Sequence, residues 1–169
     1  MIIVLRLVHI ISGVFWVGAV MFTTLLLTPT LRAVGPGAGP IMNQLVKVRK
    51  LPTVMMMSAL LTIAAGIWLL MIDSALQPGV WMRYGTGMTF GVGAVFAILA
   101  FALGMAVNMP ASKRMAAIGS AAAARGGPPT PEEQAELQRL QGRLSTASQI
   151  VMVLLLLATA AMAIARYVP

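Results

Sequence analysis

The sequence predicts an all-α protein, a polytopic membrane four-helix bundle with short cytoplasmic helical extensions. Three observations predict this. Of the 169 residues 59% are hydrophobic and only 9% charged, with a mean hydropathy of +0.91, far beyond the usage of soluble domains. Four apolar stretches, about 2–26, 51–72, 86–108 and 146–166, reach the length of about 20 residues that a bilayer-spanning helix needs. The short alternating segments of a membrane barrel do not occur.

The first stretch begins directly after Met1, without a basic leader or a small-x-small cleavage site, so it is expected to be a retained helix rather than a removed signal peptide. Beyond it, VGPGAGP at 34–40 is a Gly/Pro turn region. Ile41, Met42, Leu45 and Val46 then recur at helical spacing before Lys47, which predicts a short cytoplasmic helix leading into the second span. The connection 109–145 is expected as a cytoplasmic loop with Ala-rich and Gly/Pro-rich stretches. It ends in TPEEQAELQRLQGRL, where Thr130, Pro131 and Glu133 form an N-cap with a capping box and proline at the first helical position. Leu137, Leu140 and Leu144 line one face of this helix, which either runs straight into the fourth span or lies on the headgroups. No repeat or second domain is visible.

Charge sets the expected orientation. Arg32, Lys47, Arg49 and Lys50, with Lys113, Arg114, Arg125, Arg139 and Arg143, put nine cations on one side, against Arg6, Arg83 and Arg166 on the other. The positive-inside rule makes the nine-charge side cytoplasmic and both termini external, in what is expected to be a bacterial inner (plasma) membrane. The net charge of +8 flanks membrane segments and no nucleic-acid module accompanies it, so anionic lipid headgroups, not nucleic acid, are the expected partners. The chain has no cysteine, and hence no disulfide, thiolate metal site or iron–sulfur cluster.

The lone histidine is the chemical landmark. His9 sits in the first span on a helical face with Arg6, Gly13 and Trp16. An ionisable group at membrane depth marks a functional site by default, and neutral imidazole is a common ligand for metals and haem iron. His9 lies about 10 Å below the outer end of its helix, a level shared with Ala65 and Gly66, Gly87 to Gly91, and Thr159 to Met162. Gly87 and Gly91 form a G-x-x-x-G spacing that serves close helix packing or leaves a slot for a flat ligand such as porphyrin. Gly13 would open the same kind of space beside His9, and Arg6 would pair with a haem propionate or snorkel to the interface. A packing histidine would instead bond across helices to Thr62, Thr159 or a backbone carbonyl.

With one histidine, ligation by two histidines of one chain is excluded, so a further metal ligand would be methionine, with Met88 and Met162 nearest in depth, or water, a partner chain or nothing. Met55, Met56 and Met57 suggest copper(I), but consecutive positions point about 100° apart on a helix and cannot converge on one ion without other chains. Asp73 has Arg83 as its expected partner, and no second acid stands near for acid–base work. No nucleotide loop, hydrolase elbow or zinc motif occurs.

The run VLRLVHIISGVFWVGAVMF resembles the start of small four-helix membrane proteins of the CopD-like and HemJ-like group, close to the pattern L-H-x-x-x-x-x-x-W-x-G, with Leu7 or Val8 before His9, then Trp16 and Gly18. RKLPTVMMMSALLTIAAGIWLL is similar to the group's second helix, and GVWMRYGTGMTF falls where the third begins. The resemblance implies haem b binding and protoporphyrinogen oxidation on the HemJ-like side, copper uptake on the CopD-like side. The third HemJ-like helix normally starts with a histidine and a lysine spaced two apart; Met82, Arg83, Tyr84 and Gly85 stand there instead, and LSTASQI replaces the usual entry to helix four. Only His9 carries over as an iron ligand. The leading expectation is an integral membrane haem b protein, an electron-transfer or accessory subunit of a larger membrane complex or homo-oligomer. A cofactor-free structural or assembly subunit is the competing class, followed by a porphyrin-oxidising enzyme and copper import.

Overall fold

The computed structural model describes residues 1–76 and 85–168, and every regular element among them is helical. Helix α1 (Ile2–Phe22) passes through a wide π-helical turn at Thr23–Leu27 into α2 (Thr28–Val34). A short α3 (Gly39–Asn43) and a second π turn, Gln44–Val48, lead to α4 (Leu51–Leu76). Helix α5 (Gly85–Leu103) continues through a third π turn, Gly104–Asn108, into α6 (Met109–Ala124). The last helix, α7, runs unbroken over Pro131–Ile164.

Four rods are long and apolar enough to cross a membrane: Ile2–Val34, Leu51–Leu76, Gly85–Ala124 and Pro131–Tyr167. Two of them run on past the expected span ends at 26 and 108. Pro29 and Pro110 would ordinarily break them, because proline lacks an N–H and its ring presses on the carbonyl four residues back. Each is preceded instead by a turn wound one residue wider, in which the N–H of Thr28 bonds to the carbonyl of Thr23 and that of Met109 to Gly104. The wider turn takes up the strain, and the helix bends without ending.

The connection 109–145, expected as a loop, is therefore a helical hairpin of α6 and the start of α7. Helix α6 closes with a Schellman motif: the N–H groups of Gly126 and Gly127 reach the carbonyls of Ala123 and Ala122, with Gly126 at a φ of +70°. Thr130 then starts α7 with the expected capping box, its hydroxyl accepting from the Glu133 N–H at 3.3 Å and its own N–H donating to Glu133 Oε2 at 2.9 Å. Ala111, Ile118 and Leu140 are buried between the two arms, with Met115, Leu137 and Leu144 packed around them.

Small residues let the four rods approach closely. Helix α1 packs along α4 and α5 along α7, while α1 with α5 and α4 with α7 stand diagonally across the bundle. The core draws on all four: Trp16, Val20, Ala59, Ala97, Ala100, Val151, Leu155 and Ala158. Trp16 reaches across the diagonal to meet Phe101 edge to face, with ring centroids 6.4 Å apart. The outer surface bares Ile3, Val14, Trp68 and Val95, side chains that only lipid suits at such density.

Candidate functional site

At the end of the bundle away from the hairpin, the half-buried ring of His9 turns toward α4. Its Nδ1 lies 2.8 Å from the backbone carbonyl oxygen of Thr62. A carbonyl can only accept, so Nδ1 carries the proton and donates it, and in the neutral ring Nε2 keeps the lone pair. Among the described residues no side chain or backbone group hydrogen-bonds to Nε2. An N–H···O=C bond that fixes the tautomer and ring orientation is the support that ligating histidines use.

The ring's seat is a ladder of small residues on α4, Ser58, Thr62 and Gly66, spaced four apart. A Cβ on Gly66 would stand 2.8 Å from His9 Cε1 and 3.0 Å from Nδ1, so only glycine admits the imidazole there. Buried Thr62 has Oγ1 at 2.7 Å from the carbonyl of Ser58 and 2.9 Å from Ser12 Oγ, and its one proton serves either. Ser12 in turn donates to the carbonyl of Val8. Sequence reasoning placed Gly66 at the level of His9 without assigning it a role and passed over Ser12 and Ser58. The signal was the four-residue repeat of small side chains on α4, a known mark of close helix contact.

The other expected site residues scatter. The space beside Gly13 is not open to a flat ligand, since Thr62 Cγ2 lies 3.4 Å from where a Gly13 Cβ would be. Trp16 belongs to the core, buried against Phe101. Arg6 is exposed and has no ion-pair partner among the described residues. Gly87 is buried and Gly91 half-buried on α5, diagonally across from α1, so this pair forms no slot at His9. Gly91 instead lines a shallow outward groove with Met88, Val92, Val95 and Phe96, and Met88 is 55% exposed. Met162 fills the dent at Gly93, its Cγ 3.1 Å from a Cβ built there. Neither methionine is thus directed at His9.

Met55 packs on the core while Met57 is exposed, so the methionine run diverges as expected. Thr159 bonds back to the carbonyl of Leu155 on its own helix. Arg83, the expected partner of Asp73, and the segment 77–84 lie outside the described residues. Among those described, no three His, Asp or Glu side chains gather in a way that would hold a metal ion. What remains is a single nitrogen donor, His9 Nε2, on a ring locked between two helices. No protein-family model, curated protein or solved structure matches the chain.

Proposed function

We propose that this membrane protein binds haem b in the outer half of the bilayer through Nε2 of His9, as an electron-transfer or accessory subunit of a larger assembly in a bacterial plasma membrane, with both termini outside. The bond from His9 Nδ1 to the Thr62 carbonyl carries the proposal, because it fixes the ring and, in the neutral tautomer, leaves the Nε2 lone pair free to bind. One protein nitrogen suits one axial position of haem iron, which supplies the redox chemistry when bound. The chain's own part is to hold that imidazole in a fixed orientation.

A second reading, a cofactor-free structural subunit, is favoured by the filling of the space at Gly13 by Thr62 and of the dent at Gly66 by the ring itself. Here His9 is an interhelical clamp. An absorption spectrum of the purified protein, expressed with ample haem, separates the two. Haem binding gives a Soret band that His9→Ala abolishes. A wild-type protein without that band leaves the clamp in its place.

A further inference from the structure

The chain has four acidic residues, Asp73 in the last turn of α4 and Glu132, Glu133 and Glu136 in the first turns of α7. Two of the three glutamates are taken up within the hairpin. Arg114 grips Glu136 by two bonds of 2.8 and 3.0 Å, and Arg125 pairs with Glu133. Counted along the helix, Glu133 and Glu136 stand about 20 and 15 Å beyond residue 146, where the apolar part of α7 begins.

The cations at the base of the hairpin differ. Lys47, Arg49, Lys50, Lys113, Arg139 and Arg143 each lie within about 10 Å of the end of an apolar segment. Among the described residues none of them has an ion-pair partner. Arg32, at the same level, donates to the neutral carbonyl of Gln141 at 3.2 Å. Glu136, bonded to Arg114, also attracts Arg139 from a distance, but among the described residues no carboxylate bonds to any of these six, so the collar beneath the bundle keeps a net positive charge. That collar sits at headgroup depth, where aliphatic stems lie along apolar surface and charged heads meet phosphate.

We propose that this collar binds anionic phospholipid headgroups, while the charge-balanced hairpin projects clear of the surface. The phosphodiester accepts bidentate bonds from the arginines and supplies the counter-charge that the chain places elsewhere. The inference is independent of any cofactor at His9.

The test is native mass spectrometry of the full-length protein in detergent, offered phosphatidylglycerol or phosphatidylcholine. The wild type should retain about tenfold more phosphatidylglycerol at low salt, a preference that shrinks as salt rises. The variant Lys47→Gln, Arg49→Gln, Arg139→Gln, Arg143→Gln should lose that preference at unchanged helicity, and Arg125→Gln should keep it. Equal retention of the two lipids by the wild type overturns the proposal, as does a preference untouched in the folded four-site variant. A soluble acidic protein as the collar's occupant would produce the first of those two results. The wild-type comparison stands even where the four-site variant fails to fold.

Discussion

Gly66 and the ring of His9 share one small volume: a Cβ on Gly66 would stand 2.8 Å from His9 Cε1, closer than folded proteins allow. The ring cannot retreat freely, because its Nδ1 is held at 2.8 Å by the Thr62 carbonyl. Gly66→Ala therefore forces either the helices apart or the hydrogen bond open, at a cost of about 1–3 kcal/mol. Shortening the ring should relieve the clash, so Gly66→Ala is expected to cost far less in a His9→Ala background. Thermal unfolding of the four proteins in one detergent measures this coupling. Additive losses would mean that the two residues do not meet.

The glycines of α5 and α1 separate by the same geometry. A Cβ on Gly93 would meet Met162 Cγ at 3.1 Å and the carbonyl oxygen of Ala158 at 3.2 Å, whereas one on Gly18 would meet nothing within 4 Å. The Ala158 oxygen is backbone and yields only if α5 and α7 part. Gly93→Val is expected to lower stability by about 1–3 kcal/mol through overpacking. Gly18→Ala should leave it unchanged or slightly raised, since alanine is the better helix former by about 1 kcal/mol. Equal unfolding temperatures for the two variants would contradict this assignment of the contact.

Hydropathy made the four spans legible because burial in lipid demands unbroken apolar length, and the capping box was legible because Thr130, Pro131 and Glu133 act locally. The continuation past Pro29 and Pro110 was not, since proline reads as a helix stop unless a wider turn precedes it. The level of His9 followed from helical rise alone, which brought Gly66 into view. Its partner came into view only as one of several, Thr62, Thr159 or a backbone carbonyl, because depth says nothing about which helix stands beside which; the structure selects the Thr62 carbonyl. Gly87, Gly91 and Met88 shared that depth but sit on α5, diagonally across from α1.

The capping box should set the local stability of the hairpin. Thr130→Ala removes the acceptor for the Glu133 N–H and is expected to cost about 1 kcal/mol. Proteolysis at 125–135 should quicken while membrane insertion stays intact. Unchanged protection there would mean that the cap contributes nothing measurable.

Acid should loosen the same hairpin. The side-chain bond from Arg125, then the Thr130 backbone N–H, hold the Glu133 carboxyl below its ordinary value of 4.5, and Arg114 lowers Glu136 in the same way. A carboxyl depressed by folding stabilises the fold above its unfolded value and loses that contribution as pH falls through the folded one. Hydrogen exchange over 131–137, corrected for its intrinsic pH dependence, should stay slow at neutral pH and quicken below the carboxyl range. Glu133→Gln with Glu136→Gln should remove most of that dependence. A wild-type hairpin equally protected at both ends of the range would show that these ion pairs do not support it.

The hairpin and the carboxyl terminus offer a test of orientation. The loops flanking the hairpin end carry nine of the twelve cations in the sequence, so by the positive-inside rule the hairpin is expected in the cytoplasm and Tyr167 outside. Both Ala123, near the end of α6, and Tyr167, 86% exposed, stand clear of the core. The chain has no cysteine of its own, so Ala123→Cys and Tyr167→Cys each introduce a single thiol. With an impermeant maleimide on intact cells, the thiol at 167 should react at once and that at 123 only after the membrane is opened. Labelling of position 123 from outside would invert the bundle, and it would move the His9 site to the cytoplasmic half of the membrane.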